Sequence, residues 1–219
     1  MARDDGTYHH GNLRRALLDA ALSFIAERES LDFTMRELSR RAEVTHNAPY
    51  RHFADRDALL AALAEEGFQL LHARSKSREP APDADPRDRV RSLGASYVGF
   101  AVEHPHHFRL MFGETTARAK AEHPELARAA EASFALLRDA IEACRDRGLL
   151  RRDVSARDLG LVAWSLVHGL AALLVSGQIP GGGGRVPVLT RELATVFFEG
   201  ALGLSEERHG RDTESGRRR

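Results

Sequence analysis

Apolar residues return every three or four positions along most of the chain, which is the spacing of one face of an α-helix. The first such run comprises Leu13, Leu17, Ala21, Phe24 and Ile25. Asn12 can cap this run, so a helix is predicted over residues 12–27. No long stretch alternates apolar with polar residues as a half-buried strand does, and helix-favouring residue types outnumber β-branched ones. The pattern therefore predicts an all-α protein.

Residues 34–53 divide into two short helical segments around a turn. Thr34 can cap a helix over residues 35–42, and Thr45 can cap a third helix of about two turns that ends near Phe53. Pro49 lies where an α-helix needs a backbone N–H, so we expect a slightly distorted first turn and a proline ring that packs inward. Two short helices joined in this way are typical of a helix-turn-helix, whose second helix presents its first residues to the major groove of DNA.

The remainder of the chain is predicted to be helical, with one break in composition. Asp55 can cap a long fourth helix, whereas the stretch SKSREPAPDADPRDR at residues 75–89 combines prolines with alternating charges and predicts a linker. Further helices are predicted over residues 88–103, 105–112, 124–147, 156–176 and 188–204. We therefore expect a helix-turn-helix domain with its linking helix at residues 1–79, a second helical domain at 87–204 and a disordered tail at 205–219.

The charge balance gives no general argument for a nucleic-acid partner, because 32 basic and 32 acidic side chains leave a formal net charge of zero. Residues 36–56 nevertheless hold five arginines against three acidic residues, a modest basic patch that a solvated helix face can also produce. Cys144 is the only cysteine, which excludes an intrachain disulfide. The sequence shows neither a signal-like apolar start nor about 18 consecutive apolar residues, so we expect a soluble cytoplasmic protein.

Residues 17–63 carry five features in order: an Ala-rich first helix, a second helix begun by threonine, Val-Thr at the turn, Tyr-x-His-Phe, and Asp-Arg-Asp-x-Leu-Leu. This order resembles the N-terminal domain of the tetracycline-repressor (TetR) family of bacterial transcriptional regulators. Glu43 stands where that family usually has glycine, and a left-handed glutamate costs about 1 kcal/mol. YHHGNLRRA at residues 8–16 and WSLVHGL at residues 164–170 resemble a subgroup whose C-terminal ligand domain carries a Trp, His, Gly signature.

The resemblance implies a set of DNA-binding residues in and around the helix-turn-helix. These residues are Thr34, Arg36, Thr45, His46, Asn47, Ala48, Tyr50, His52 and Arg56. A guanidinium such as Arg36 suits guanine, the Asn47 amide suits adenine and the Ala48 methyl suits thymine. The remaining hydroxyl, imidazole and guanidinium groups suit phosphates, which fix the register without reading the sequence. Structural alternatives stay open, in which Thr34 and Thr45 serve only as helix caps and Tyr50 serves only as core.

Most of the large aromatic surface of the chain lies in the second predicted domain and forms a candidate effector site. The candidates are Tyr97, Phe100, Phe108, Met111, Phe112, Phe134, Trp164 and His168. Trp164 and His168 are four residues apart and share one face of a helix. Aromatic side chains supply contact area, whereas His168 and Tyr97 supply polar groups that orient a ligand. We expect a small hydrophobic or aromatic effector and no cofactor, with an ordinary core as the alternative interpretation.

The last two predicted helices carry apolar stripes that suit a homodimer interface. Their candidate residues are Leu166, Leu170, Leu173, Leu174, Leu193, Val196, Phe197 and Gly200. Two such helices from each subunit would form a four-helix bundle, and a two-fold dimer would bind a near-palindromic operator. The alternative is that these residues only complete the core of one chain. The resemblance and this pattern together imply a ligand-responsive DNA-binding regulator, most simply a repressor.

The sequence also has features that suggest two other classes of function, an enzyme and a protein-interaction adaptor. The segment EHPHHFRLMF at residues 103–112 could indicate a metal-dependent enzyme with Glu103, His104, His106, His107 and His123 as ligands. Adjacent histidines point about 100° apart on a helix, however, and no His-Glu-x-x-His motif occurs, so we expect no metal site. A Gly-x-Ser-x-Gly hydrolase motif is also absent from the sequence. A helical protein-interaction adaptor would explain the amphipathic helices but not the helix-turn-helix.

Overall fold

The computed structural model describes residues 6–179 and 182–202, and regular secondary structure within these residues is helical throughout. The predicted all-α class is therefore confirmed. The helices are α1 (Gly6–Arg28), α2 (Met35–Arg41), α3 (Arg56–Ser77), α4 (Pro86–Glu103), α5 (Pro105–Met111), α6 (Glu114–Ala119), α7 (Pro124–Asp146), α8 (Ala156–Val175) and α9 (Val186–Leu202), with short 3₁₀ helices at Pro49–Arg51 and Gly182–Arg185. The predicted tail at residues 205–219 lies outside the described residues.

Helix boundaries differ from the sequence-based expectation at two places. Helix α1 begins at Gly6, so Asn12 lies inside the helix and is not its cap. Helix α3 continues to Ser77 and α4 begins at Pro86, with Asp85 as the N-cap whose carboxylate accepts from the Arg87 N–H. The predicted linker is therefore shorter than residues 75–89, because its first residues extend α3 and its last residues begin α4.

The chain divides into two compact units that are not continuous in sequence. The first unit combines Met1–Gln69 with His106–Ala130, and the second combines Leu70–Pro105 with Glu131–Arg219. The sequence-based division into residues 1–79 and 87–204 followed chain order alone. A segment such as α5 can join an earlier part of the chain only through tertiary packing, which the order of residues does not reveal.

In the first unit, α1 packs against α2, and buried apolar residues come from α1, α2 and the first half of α3. The fully buried residues here include Leu17, Leu18, Leu38, Leu59, Leu60 and Leu63. Phe24 stacks on Phe33 at 5.7 Å, and the guanidinium groups of Arg28 and Arg41 each lie 4.7 Å from the Phe24 ring centroid. Helices α3 and α5 also meet in this unit, where a Cβ at Gly67 would lie 2.5 Å from Met111 Sδ. Only glycine allows this approach without a shift of the methionine.

In the second unit, α4 packs against both α8 and α9. One buried cluster comprises Val90, Ala140, Ile141, Cys144, Leu150, Ala156, Leu159, Ala163, Phe197 and Phe198. Gly148 and Gly177 lie two residues after the last residues of α7 and α8, and they adopt φ values of 69° and 74°. A left-handed residue at this position closes a helix by letting the next N–H groups bond back to its last carbonyls. These ends fix where α7 and α8 stop around the buried cluster.

Helix α8 is long and apolar enough to cross a membrane by length and composition alone, a property that it shares with core helices of soluble proteins. Only 28% of its most apolar stretch is buried inside the chain. Much of the apolar surface of α8 is therefore left exposed by a single copy of the protein.

Candidate nucleic-acid interface and aromatic cluster

Helix α2 begins at a complete capping box, which confirms Thr34 as a helix cap. The Thr34 hydroxyl oxygen accepts from the Glu37 backbone N–H at 3.1 Å, and the Thr34 N–H donates to Glu37 Oε2 at 2.8 Å. This backbone N–H and the neighbouring Arg28 guanidinium lower the pKa of Glu37 to about 2. Thr34 is still exposed, so the first turn of α2 is held firmly at the surface.

The turn after α2 has a left-handed residue that is not glycine. Glu43 has φ of 55°, its N–H lies 3.3 Å from the Arg40 carbonyl oxygen, and the Val44 N–H donates to the Ser39 carbonyl at 3.0 Å. These two bonds form a Schellman motif, which normally has glycine at its left-handed position. The chain therefore keeps the tight turn of a helix-turn-helix and accepts the backbone strain of a glutamate there.

The third helix is shorter than the two α-helical turns predicted from Thr45. Residues Pro49–Arg51 form a 3₁₀ helix whose N-cap is Ala48, and the backbone carbonyl oxygen of Thr45 accepts from the Ala48 N–H at 2.9 Å. Because proline has no N–H, Pro49 cannot complete the α-helical bond to the Thr45 carbonyl. Pro49 is buried, as predicted for an inward-facing wedge. The first turn is thus more distorted than the slight distortion that was predicted. The prediction that Thr45 caps the third helix is wrong.

The polar residues before Pro49 form an exposed segment, which we call the reading segment and define as residues 45–47. Thr45, His46 and Asn47 are all exposed, and His46 Nδ1 lies 3.3 Å from Asn47 Oδ1. Ala48 is only 9% exposed, so its methyl group belongs to the core and not to the surface where a thymine contact was expected. Tyr50 is 48% exposed, which removes the alternative that it serves only as core. His52 is half-buried.

The arginines near the helix-turn-helix fall into two electrostatic classes. Arg41 is paired with Glu27, and Arg56 lies 3.4 Å from Asp57. Exposed Arg36, Arg40 and Arg51 form no ion pair or hydrogen bond with any other residue that the structure describes. Fewer arginines are therefore available to bind a partner than the five counted from the sequence. Arg36 is one of those that remain available.

In the second unit, a chain of hydrogen bonds joins three of the predicted effector-site residues. The Trp164 indole N–H donates to the Tyr97 hydroxyl oxygen at 3.2 Å, and that oxygen lies 2.7 Å from His168 Nδ1. Phe134 packs edge-on against Trp164 with ring centroids 6.2 Å apart. Helix α4 supplies Tyr97, α7 supplies Phe134 and α8 supplies the other two residues. The four-residue spacing of Trp164 and His168 brings both to Tyr97.

Protonation states in this chain of bonds follow from burial and from the donors available. Burial raises the pKa of Tyr97, although the bond from Trp164 opposes the change, and burial lowers the pKa of His168. An indole N–H can only donate, so the Tyr97 hydroxyl has its own hydrogen available to donate to His168 Nδ1. When Tyr97 donates to Nδ1, the imidazole is neutral with its N–H on Nε2, and the lowered pKa of His168 favours this neutral form. The cluster consequently offers aromatic surface and neutral polar groups.

The other predicted effector-site residues lie in different surroundings. Phe108 and Phe112 pack together in the first unit at 5.3 Å, with Phe112 edge-on to Phe68 and Met111 against Gly67. Phe100, in the second unit, is 1% exposed and lies 5.0 Å from the His104 ring. The structure thus brings together four of the eight predicted residues within one unit, and these four are Tyr97, Phe134, Trp164 and His168.

The predicted dimer residues separate by exposure. Leu166, Leu173 and Val196 are 37%, 47% and 63% exposed, whereas Leu170 and Phe197 are buried within their own chain and cannot face a partner. Leu174 and Leu193 are intermediate, and Gly200 is exposed. Periodicity alone cannot tell the inner stripe of a helix from an apolar outer stripe. Leu161, Val162 and Val188 are also exposed apolar residues of α8 and α9, and periodicity did not single them out for the same reason.

Comparison with known proteins assigns both halves of the chain. Residues 17–63 match the bacterial regulatory proteins of the tetR family, and residues 90–196 match the tetracyclin repressor-like C-terminal domain. A solved protein of unknown function from Rhodococcus sp. RHA1 is 32% identical, over 90% of this chain and 99% of that one, with a TM-score of 0.75. The chain belongs to the TetR family of bacterial transcriptional regulators.

More distant TetR-family structures share the same fold. A regulatory protein of the family from Rhodococcus RHA1 is 18% identical over 86% of this chain and 96% of that one, with a TM-score of 0.69. The regulator FadR from Bacillus subtilis, solved in complex with stearoyl-CoA, is 11% identical over 85% of this chain and 98% of that one, also with a TM-score of 0.69. These likenesses concern the fold alone.

Membership of the TetR family makes the chain a DNA-binding regulator and not an enzyme. The residues considered as metal ligands have other neighbours. The Glu103 carboxylate is bonded to Arg74, His104 packs on Phe100, and His107 Nε2 lies 3.4 Å from Glu66 Oε1. The histidine-rich segment therefore contributes to packing and ion pairing in its own part of the chain.

Proposed function

We propose that this TetR-family protein is a homodimeric repressor that binds a near-palindromic operator and is released by a small, uncharged hydrophobic or aromatic effector. The observation that carries the DNA-binding part is the exposed reading segment, which directly follows the Schellman turn. Its side chains project from a rigid turn, and base edges are read best by groups whose backbone is held in place.

The proposed contacts with DNA follow from exposure. Asn47 suits adenine and unpaired Arg36 suits guanine, while His46 lies beside Asn47 in the same segment. The proposed phosphate ligands are Thr34, Thr45, Tyr50, His52 and Arg56. Burial of Ala48 argues against a contact with a thymine methyl, so this residue is not included in the proposal.

The exposed apolar stripe of α8 and α9 supports the proposed homodimer. Leu166 and Leu173 lie two helical turns apart on α8, and Val196 is 63% exposed on α9. Large exposed apolar patches usually mark interfaces, because leaving them in water forgoes about 25 cal/mol per Å² of burial. A two-fold pairing of these helices would place two reading segments on two half-sites of one operator.

The cluster around Trp164 supports the proposed effector class. Tyr97 and His168 are both neutral in the described arrangement, so the polar groups of the cluster carry no net charge that would select an anion. Phe134 and Trp164 add flat aromatic surface. FadR from Bacillus subtilis was solved with stearoyl-CoA, but at 11% identity that ligand does not define the effector of this chain.

We also propose that the protein belongs to the subgroup with the Trp, His, Gly signature, which Trp164, His168 and Gly169 would form. We propose the cytoplasm as its location.

The test combines DNA from beside the protein's own gene with the single tryptophan of the chain. Purified protein should shift that DNA, and a neutral aromatic compound that releases it should also quench Trp164 fluorescence. Arg36→Ala should lose the operator but keep the quench, whereas Trp164→Phe should keep the operator and need more compound for release. Release from Trp164→Phe at the wild-type concentration would place the effector site elsewhere.

A further inference from the structure

Two glutamates adopt a left-handed backbone directly after helices of the first unit. Glu29 follows α1 with φ of 49°, and Glu43 follows α2 with φ of 55°. Residues other than glycine rarely adopt this conformation. Both side chains are exposed, and in the described part of the chain neither carboxylate has a hydrogen bond or an ion pair. No local contact therefore explains why either position is a glutamate.

Glu43 differs from Glu29 in what surrounds it. It lies two residues before the reading segment, and its backbone takes part in the bonds that hold the turn. Other acidic groups near the turn are already engaged: Glu27 with Arg41, and Glu37 with Thr34 and Arg28. Glu43 is consequently an exposed negative charge between α2 and the reading segment, without an ion pair among the residues that the structure describes.

We propose that Glu43 is a specificity-determining residue whose carboxylate weakens binding to non-cognate DNA by repelling phosphates. Non-specific binding depends almost wholly on phosphate charge, so a nearby carboxylate opposes it in every register that the protein samples. Cognate binding is held by base contacts in one register, in which the phosphates lie farther from Glu43 than in the registers that non-specific binding samples. An unpaired charge directed against the wrong partner is a common route to specificity. The inference rests on the proposed DNA surface.

The two glutamates allow charge and backbone strain to be tested separately. Glu43→Gln removes the charge but keeps a side chain that disfavours the left-handed region, whereas Glu43→Gly removes both. Glu29→Gln and Glu29→Gly are the matched controls, because Glu29 has the same left-handed backbone and is also exposed but follows α1 instead of α2. The probes are a duplex selected from a random library by the wild-type protein and a scrambled duplex of equal length and composition. Anisotropy titrations between about 0.05 and 0.5 M NaCl measure binding to both.

Glu43→Gln is expected to bind the scrambled duplex about 3- to 10-fold more tightly at low salt, and the selected duplex less than about 2-fold more tightly. This gain in affinity should vanish as the salt concentration approaches roughly 0.5 M NaCl, because salt then screens the repulsion. Glu29→Gln should change neither affinity. Both glycine variants should raise Tm by similar amounts, because each relieves the same strain, whereas the glutamine variants should not.

An unchanged affinity of Glu43→Gln for the scrambled duplex would overturn the proposal, as would an equal gain on both duplexes. A loss of affinity for the selected duplex would overturn it too, because the carboxylate would then be accepting a hydrogen bond from a base. Failure of the wild-type protein to select any duplex would instead contradict the proposed DNA surface. Circular dichroism of all four variants establishes that they are folded before titration.

Discussion

Arg74 and Glu103 form a bidentate ion pair between the end of α3 and the end of α4, with Arg74 Nη2 2.9 Å from Glu103 Oε1. Gly99, one turn before Glu103, makes room for this arrangement. A Cβ at Gly99 would lie 2.5 Å from the same Nη2 atom. The Arg74 side chain is only 16% exposed, so the pair is better shielded than an ordinary surface ion pair.

Gly99→Ala and Glu103→Gln are therefore expected to be non-additive. The added methyl group should push the flexible guanidinium away from Glu103, so each single change loses the same pair, at about 1 kcal/mol. The double variant should be at most about 0.5 kcal/mol less stable than the less stable of the two single variants. Urea unfolding of the four proteins measures the cycle. Full additivity would show that the methyl group is accommodated without moving Arg74.

Gly67→Ala is expected to destabilise the first unit by about 1–3 kcal/mol, because the new Cβ overlaps the Met111 side chain. The matched control is Gln69→Ala, an exposed position on the same helix, where a change within about 0.5 kcal/mol is expected. Thermal unfolding measures both. Equal stabilities of Gly67→Ala and the wild type would mean that Met111 moves aside without cost.

Asn47→Ala should weaken the selected operator by about 1–3 kcal/mol and leave a scrambled duplex unchanged, because an amide reads base edges. Arg56→Ala should weaken both duplexes, because a phosphate contact carries no sequence information. Titration at several salt concentrations separates the two effects. Equal losses on both duplexes for Asn47→Ala would remove it from the base-reading residues.

The free energy of unfolding should decrease as the pH is lowered, and part of this decrease should come from protonation of His168. Burial lowers the pKa of this imidazole below its usual value of 6.5, so below that pH the unfolded chain binds a proton that the folded chain resists. The stabilising contribution is fully present above pH 6.5 and is lost as the pH falls toward the lowered pKa. His168→Gln should lose less stability than the wild type between pH 7.5 and 5.5, roughly the window in which histidine titrates. Identical losses in denaturant unfolding would contradict this assignment.

Leu173→Glu is expected to dissociate the proposed dimer with little change in the fold of each chain, because the side chain is 47% exposed in a single copy. Val196→Glu should act in the same way. Leu70→Glu is the matched control, since Leu70 is 38% exposed on α3, outside the proposed interface. Sedimentation equilibrium measures the three variants. A wild-type mass for Leu173→Glu and Val196→Glu together would place the interface on another surface.

The sequence by itself determined the all-α class, the family and the local chemistry of the helix-turn-helix. These features depend on neighbours in the chain: the period of the apolar residues, the Thr34 cap with Glu37, and the missing N–H of Pro49. The spacing that places Trp164 and His168 on one face is equally local. Such features can be predicted because a helix relates residues three or four positions apart, whatever the rest of the chain does.

Only the tertiary structure decided which surfaces are buried and which charges are neutralised. Asn47 and Ala48 are adjacent and both were predicted to enter the groove, yet packing exposes Asn47 and buries Ala48. Leu170 and Leu173 belong to one apolar run of α8, but Leu170 is buried in the core of its own chain and Leu173 is exposed. The bond from Trp164 to Tyr97 joins residues 67 positions apart, and only packing of α4 against α8 sets such a distance. Burial and pairing depend on distant segments, and the period of a single helix carries no information about them.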